Sequence, residues 1–472
     1  MGMEPLPTVV AVLIQVLVLA AVGILLGRLA HRVRVPGLVG ALLAGILLGP
    51  TFFGQIWPDA HRRLFVGGTE QWSRLQERSG EFEADLKAMA GVTPVAIELA
   101  KQQQAAELRR LQEQVGEAQD HHQRGLWYVV AVGAIPLVLL RAGLRGLPRG
   151  GGKGFGAALP VVLGAWLLSM IAAAGFGLLL IRSGWLKVPE ADRQLWLIGA
   201  ALGCGAVSLP LSLRDKREAI GSAIAELGAL AALGITLLVW VVLVGVGGAA
   251  GHRVSSATDL DLGALGDHAT GAAIVCLLCL WPLRSALRRW PSPTLPWILV
   301  PALMLVGAVF GPGAMWLGAL ASGLALAGGP RDSKDETGQP LDEACRQALE
   351  PFVAAFVGLQ LNLLTDFDWL LFLLMLIATG DGKAVGAMAA ARWMAGRSWW
   401  DSLRVGTCLC AGGTVPLIVA YALLEQRIID AALFCALVLA VAVTATFAGP
   451  MLRMVDGIFS SPGGWDDGRD SP

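Results

Sequence analysis

Apolar runs of about 17 to 25 residues recur along the whole 472-residue chain, and this feature narrows the available folds more than any other. A helix of that length crosses roughly 30 Å of hydrocarbon. It also satisfies its own backbone hydrogen bonds, as a lipid-embedded segment must. The runs predict an all-α polytopic membrane protein with helices near 8–27, 36–52, 127–142, 156–181, 194–213, 218–246, 269–287, 295–311, 313–328, 351–365, 368–395, 403–424 and 429–455. Charged residues make up 15% of the chain, well under the quarter or so usual in soluble domains. The 36 Lys+Arg against 36 Asp+Glu leave no basic excess to neutralise phosphates, which excludes a nucleic-acid binder.

Thirteen spans place the two termini on opposite sides. Short cytoplasmic loops retain positive charge, and the basic residues concentrate on one set of alternate connections: Arg28, Arg32 and Arg34; Arg145 and Arg149; Arg214, Lys216 and Arg217; Arg288 and Arg289; Arg397 and Arg404. The predicted arrangement is a plasma (inner) membrane protein with its N-terminus outside and residues 456–472 as a short cytoplasmic tail. The first run follows MGMEPLP, which carries no positive region, and reads as a retained helix. Trp127, Trp185, Trp281, Trp290, Trp297, Trp369, Trp399 and Trp400 stand near predicted helix ends, where indole rings prefer the interface.

Residues 53–126 break the apolar pattern and predict an extracytoplasmic helical hairpin. Trp72, Leu75, Phe82, Leu86 and Met89 fit a heptad seam interrupted at Ser79. Gly91, Thr93 and Pro94 supply a turn, and Leu108, Leu111 and Val115 stripe the returning arm. One hairpin buries little apolar surface, so it is expected to pack on itself, on a second copy or on an extracytoplasmic partner.

Among the charged residues, Glu226, Asp381 and Lys383 stand well inside predicted spans. An ionisable group there costs a few kcal/mol or more unless it is paired or lines a wet cavity, and so marks a functional site by default. Asp381 and Lys383 are two residues apart and point to different helix faces, so Lys383 is the better partner for Glu226; a purely structural Glu–Lys pair is the other reading. Two spans are interrupted: one by Gly203, Gly205 and Pro210, the other by Gly412, Gly413 and Pro416. Numbered along the chain, these are the fifth of spans 1–6 and the fifth of spans 8–13, which run in opposite directions. Inverted repeats with broken helices are how secondary transporters build a midplane site. The seven cysteines, including Cys276 and Cys279, Cys204, Cys408, Cys410 and Cys435, read as small intramembrane hydrophobes, with no disulfide framework, metal set or cofactor. The six histidines form no cluster, and no nucleophile–base pair or phosphate loop suggests an enzyme.

Several segments are similar to the monovalent cation:proton antiporter superfamily, in the branch of sodium/proton antiporters and Kef-type potassium efflux proteins. VPGLVGALLAGILLGP (35–50) resembles that family's early helix, LVLLRAGLRGL its LLFxxGLE segment, and EPFVAAFVGLQLNL (350–363) its PFFFxxxGLxLNL segment. Lys383 with ARWMAG and SLRVGTCLCAGG resembles its KxxG, ARxxG and SLxxGxxLxxxG run. The resemblance implies a homodimer whose scaffold is residues 1–52, 127–142 and 295–365, with 269–287 as a linker and a moving core of 156–246 and 368–455 in which the broken helices cross. It implies further that Glu226 is the ion-binding carboxylate, Lys383 the core lysine, and that one site holds Na+ or K+ or protons in alternation.

Departures from the pattern bear on the ion. The carboxylate is Glu, Ala225 replaces its polar neighbour, and Thr414 replaces an acidic residue after the second break. Cys204 and Gly205 stand where the family carries hydroxyls, leaving Ser208 as the nearest oxygen; Arg141 and Arg145 replace apolar and acidic positions. Asp381 is a further candidate carboxylate. The leading expectation is a secondary-active cation/proton antiporter with an elevator-like motion. A transport-inactive relative whose hairpin senses a partner, and a Kef-type cation efflux channel, stay open.

Overall fold

The computed structural model describes residues 8–67, 69–88, 107–117, 119, 125–146, 155–206, 236, 239, 315–316, 318–320, 322–323 and 343–459. The predicted helices at 269–287 and 295–311, most of 218–246 and of 313–328, and Ser208, Pro210 and Glu226 lie outside the described residues. Among those described there are helices and no strands. Among the described residues five helices are long and apolar enough to cross a membrane, Val10–Arg32, Gly37–Ile56, Ala158–Arg182, Trp369–Trp393 and Ala431–Val455, and a bent helix pair makes a sixth candidate.

Three helices form one pack: α1 (Thr8–Arg32), α2 (Gly37–Leu48) and α7 (Glu350–Leu359). With lipid as apolar as leucine, helices associate through close fit, and small residues let backbones approach. A Cβ on Gly45 would stand 1.9 Å from the Ala355 carbonyl oxygen, and one on Gly358 would stand 2.3 Å from that of Leu42. The glycines of the 35–50 segment are therefore the contact surface of α2.

The second pack contains α5 (Phe155–Arg182), α6 (Arg193–Gly205), α8 (Trp369–Ile377), α9 (Lys383–Trp393), α10 (Trp399–Leu409), α11 (Thr414–Glu425) and α12 (Ala431–Phe459). Here α9 lies against α5 through Gly164 and Gly386, where a Cβ on Gly386 would meet the Gly164 carbonyl oxygen at 2.3 Å. Two indoles, Trp185 in the α5–α6 connection and Trp196 in α6, pin this region. Trp185 donates to Asp368 at 2.9 Å and Trp196 to Asp430 at 3.3 Å. Each aspartate also caps a helix, Asp368 accepting from Leu370 and Leu371 and Asp430 from Leu433. The packs touch where Phe356 of α7 meets Tyr421 of α11 edge to face, ring centroids 5.0 Å apart.

In the polar insert, α3 (Thr69–Ala88) faces a helical stretch at 107–117. Arg78 Nε donates to Glu107 at 3.1 Å. Phe82 and Val115 are buried, and Trp72, Leu75, Leu108 and Leu111 are half-buried amid exposed neighbours. The root of the insert is tied to α1, where Gln15 donates to the carbonyl of Leu64. Arg62 stacks over Trp72, 4.3 Å from the ring centroid. His61 is buried there against Phe53 and Phe65.

Burial, reinforced by Arg62, holds the His61 imidazole below its ordinary pKa of 6.5. The unfolded chain therefore takes up this proton near 6.5 and the folded chain only at lower pH. The His61 contribution to stability is complete above the unfolded value and lost as pH falls through the folded one. Melting temperatures between pH 7.5 and 5 are expected to fall less steeply in His61→Phe than in the wild type; parallel curves refute this. Gly45→Ala is expected to cost about 1–3 kcal/mol by overpacking, read as a lowered Tm in detergent.

Candidate functional site

The first interruption comes at the end of α6. GAALGCG supports a helix built of small residues, which stops at Gly205; Ala206 turns to extended backbone with φ −61° and ψ 132°. A helix end leaves carbonyls without partners. The Ala206 amide donates to the Leu202 carbonyl at 3.1 Å, and the Ala206 carbonyl accepts from Lys383 Nζ. Lys383 is 2% exposed. Its ammonium thus caps the end of a helix from a different part of the chain.

The second interruption separates α10 from α11, with a bend of 49° across residues 410–413. Gly413 is fully extended, and Pro416 sits in the first turn of α11, where its missing N–H costs nothing. Gly412 lies against α12. A Cβ there would stand 2.2 Å from the Val441 carbonyl oxygen and 2.8 Å from Thr444 Oγ1. Cys410, the first residue of the break, is in electrostatic reach of both Lys383 and Asp381. Lys383 in turn senses Cys204 and Cys410. One amine thus bonds the end of α6 and acts electrostatically on the second break.

The helix carrying Lys383 explains its aim. Between α8 and α9 the backbone makes a π-helical turn, Ala378–Gly382, so that Thr379 and Lys383 share the buried face while Asp381 is exposed. Thr379 Oγ1 donates to Cys204 Sγ at 3.2 Å. Gly382 and Gly386 bring this face onto α5, beside Ser169 and Gly164. Gly203 packs under Leu437, and Gly205 faces the Trp166 indole. The structure thus brings together Lys383, Gly203, Cys204, Gly205 and the residues of the second break, and leaves Asp381 on the opposite face of its own turn.

A buried charge at a different place went unmarked by the sequence reading. Arg141, 3% exposed, forms an ion pair with Glu350. Arg141 belongs to α4 (Ile135–Gly146), which follows the π-helical turn Val129–Ala134, and Glu350 opens α7 after the π-helical turn Cys345–Leu349. Both residues stand at the ends of predicted spans, where a charge reads as a loop residue. The signal available was a departure at Arg141 together with an acidic residue at the head of the EPFVAAF segment.

A family model described as sodium/hydrogen exchanger, transmembrane, matches residues 121–455. Comparison with curated protein sequences finds no match. Among solved structures, the sodium proton antiporter MjNhaP1 from Methanocaldococcus jannaschii has a similar fold, with a TM-score of 0.59 at 14% sequence identity. The similarity covers 95% of this chain and 99% of that one.

Removing one partner of a buried ion pair costs about 3–5 kcal/mol because the other is left uncompensated. Glu350→Ala is expected to reach that range, and the double variant Arg141→Ala/Glu350→Ala to cost less than the two single changes added together. Chemical denaturation of the four proteins measures the coupling, and strict additivity refutes it.

Proposed function

Because the chain belongs to the sodium/hydrogen exchanger family, whose members are membrane transporters and not enzymes, we propose that it is a secondary-active monovalent cation/proton antiporter. It is a multi-pass membrane protein, and its cargo is a monovalent cation, Na+ or K+, exchanged for protons across the bilayer. The observation that carries the reading is Lys383 donating to the carbonyl of Ala206, between two interrupted helices of one pack. Interrupted backbone in a membrane is tolerated where protein or a cavity satisfies it, and transporters place their ions at such points.

In this reading Glu226 is the carrier carboxylate and Lys383 its partner and competing charge. A single negative site neutralised in turn by a cation or by protons couples the two fluxes without nucleotide hydrolysis. Ser208 serves as an auxiliary oxygen, and Asp381, exposed on the opposite face of its turn, is left out of the site. The tight crossings at Gly45/Gly358 and Gly164/Gly386 support motion of whole packs, an elevator-like exchange in which residues 156–246 and 368–455 move against 1–52, 127–142 and 295–365. The packing of each set on itself and the lighter Phe356–Tyr421 seam favour that division. Two inverted six-helix repeats joined by 269–287, a homodimer, an outer hairpin at 53–126 and an outside N-terminus complete the proposal.

Reconstituted in proteoliposomes, Glu226→Gln is expected to abolish cation-dependent proton flux while leaving the protein folded. A wild-type flux in that variant overturns the assignment of Glu226. Lys383→Met is expected to lower both flux and Tm, the latter by the loss of about 1–3 kcal/mol for an uncapped buried carbonyl.

A further inference from the structure

The end of α1 carries charge that no described residue neutralises. Leu25, Arg28, Leu29, Arg32 and Val33 follow the i, i+3, i+4, i+7, i+8 spacing of one helix face, and all five are exposed. Arg34, next along the chain, is exposed as well. Among the described residues none of these three arginines meets a carboxylate, whereas Arg78, Arg141, Arg193, Arg346 and Arg404 each do. The head of α7 lies against α1, where a Cβ on Gly23 would stand 3.1 Å from the Pro351 carbonyl oxygen. The acids there and just before it are already engaged, Glu350 by Arg141 and Glu343 by Arg346.

Arg34 also stands on backbone that suits glycine. Its φ is 62°, in the left-handed region, at the point where the Val35 amide closes the helix onto the Ala30 carbonyl at 3.0 Å. After α5 and α9 the chain places glycine in the same region, Gly184 with φ 73° and Gly396 with φ 65°. Arginine there costs backbone energy that glycine avoids. Among the described residues the other exception is Arg427, whose charge acts on Glu425.

We propose that this end of α1 binds the headgroup of an anionic phospholipid, with Arg28, Arg32 and Arg34 on its phosphate and Leu25, Leu29 and Val33 along its first methylenes. Charge complementarity selects the occupant. A guanidinium presents a planar fork of donors that matches phosphate oxygens, and its long stem carries the charge from a spanning helix to the interface. A lipid is anionic at one end and apolar along the rest, as a face that mixes arginine with leucine requires. A free anion would leave the leucines unused. Arginines clustered beside a span attract anionic lipid for the same reasons.

The full-length protein in neutral detergent is titrated with phosphatidylglycerol, phosphatidylcholine or inorganic phosphate, and its melting temperature is followed. The wild type is expected to be stabilised more by phosphatidylglycerol than by phosphatidylcholine, and not by phosphate. Each arginine removed is expected to raise the half-saturating phosphatidylglycerol concentration about fivefold, so Arg28→Gln/Arg32→Gln raises it about 25-fold. Arg34→Gly separates binding from a structural role. Without lipid it is expected to melt above the wild type, because glycine takes the left-handed backbone freely, and yet to need about fivefold more phosphatidylglycerol. Should the double variant misfold, Arg34→Gly decides. Equal half-saturation in wild type and variants overturns the site, as does equal stabilisation by the two lipids. Stabilisation by phosphate alone assigns the arginines to a free anion and overturns the lipid. A changed oligomeric mass in the lipid-free double variant, with the lipid preference intact, gives the face to a second copy and overturns it too.

Discussion

A helix that stops inside an apolar pack must hand its last carbonyls to some other donor, and here Lys383 supplies one. The bond to Ala206 joins α6 to α9 across a sequence separation of 177 residues. It draws the π-helical turn Ala378–Gly382 against the end of α6, and with it Thr379 onto Cys204. A cation at a helix C-terminus is also favoured by the helix dipole. The ammonium is thereby stabilised without a carboxylate in contact among the described residues, and its charge is felt by both Cys204 and Cys410.

That bond needs the helices to be close, and glycine makes them so. Gly164 and Gly386 let α5 and α9 touch backbone to backbone, and Gly412 does the same for the second break against α12. In water such contacts would add little to a hydrophobic core. In lipid, where apolar side chains gain nothing by meeting one another, close fit and polar pairing carry the association. Serine and threonine recur at these surfaces for the same reason: Ser169, Ser402, Thr407 and Thr444 are buried, and each returns its hydroxyl to a carbonyl three or four residues back in its own helix.

Much of this is visible in particular residues before any coordinates. Apolar runs reveal spanning helices because length and hydropathy are local properties; α5 covers Phe155–Arg182 where the run at 156–181 stands. The stripes at Trp72, Leu75 and Phe82 and at Leu108, Leu111 and Val115 are periodic, and their burial follows the period. The breaks are legible at GCGAV and CAGGTVP because Gly and Pro weaken a helix wherever they stand. The Arg141–Glu350 pair was not legible: each residue stands at the end of a span, and pairing across 209 positions leaves no local trace. Nor could the π-helical turns be seen, since they shift register by one residue without altering composition.

The sulfur contact shows the boundary most clearly. Read along the chain, Cys204 and Met375 are two small or flexible apolar residues of different helices, and cysteine in an apolar run means packing. Folded, their sulfurs are 3.7 Å apart beside the one lysine that is buried among the described residues. The chain alone determined that this is a membrane protein of spanning helices and that one of them breaks at CAGGTVP, because each follows from the solvation of short segments. The fold decided which carbonyl Lys383 reaches, that Asp381 turns away from it, and which side chains share its surroundings. Those are distances between segments far apart in sequence, and helix packing sets them.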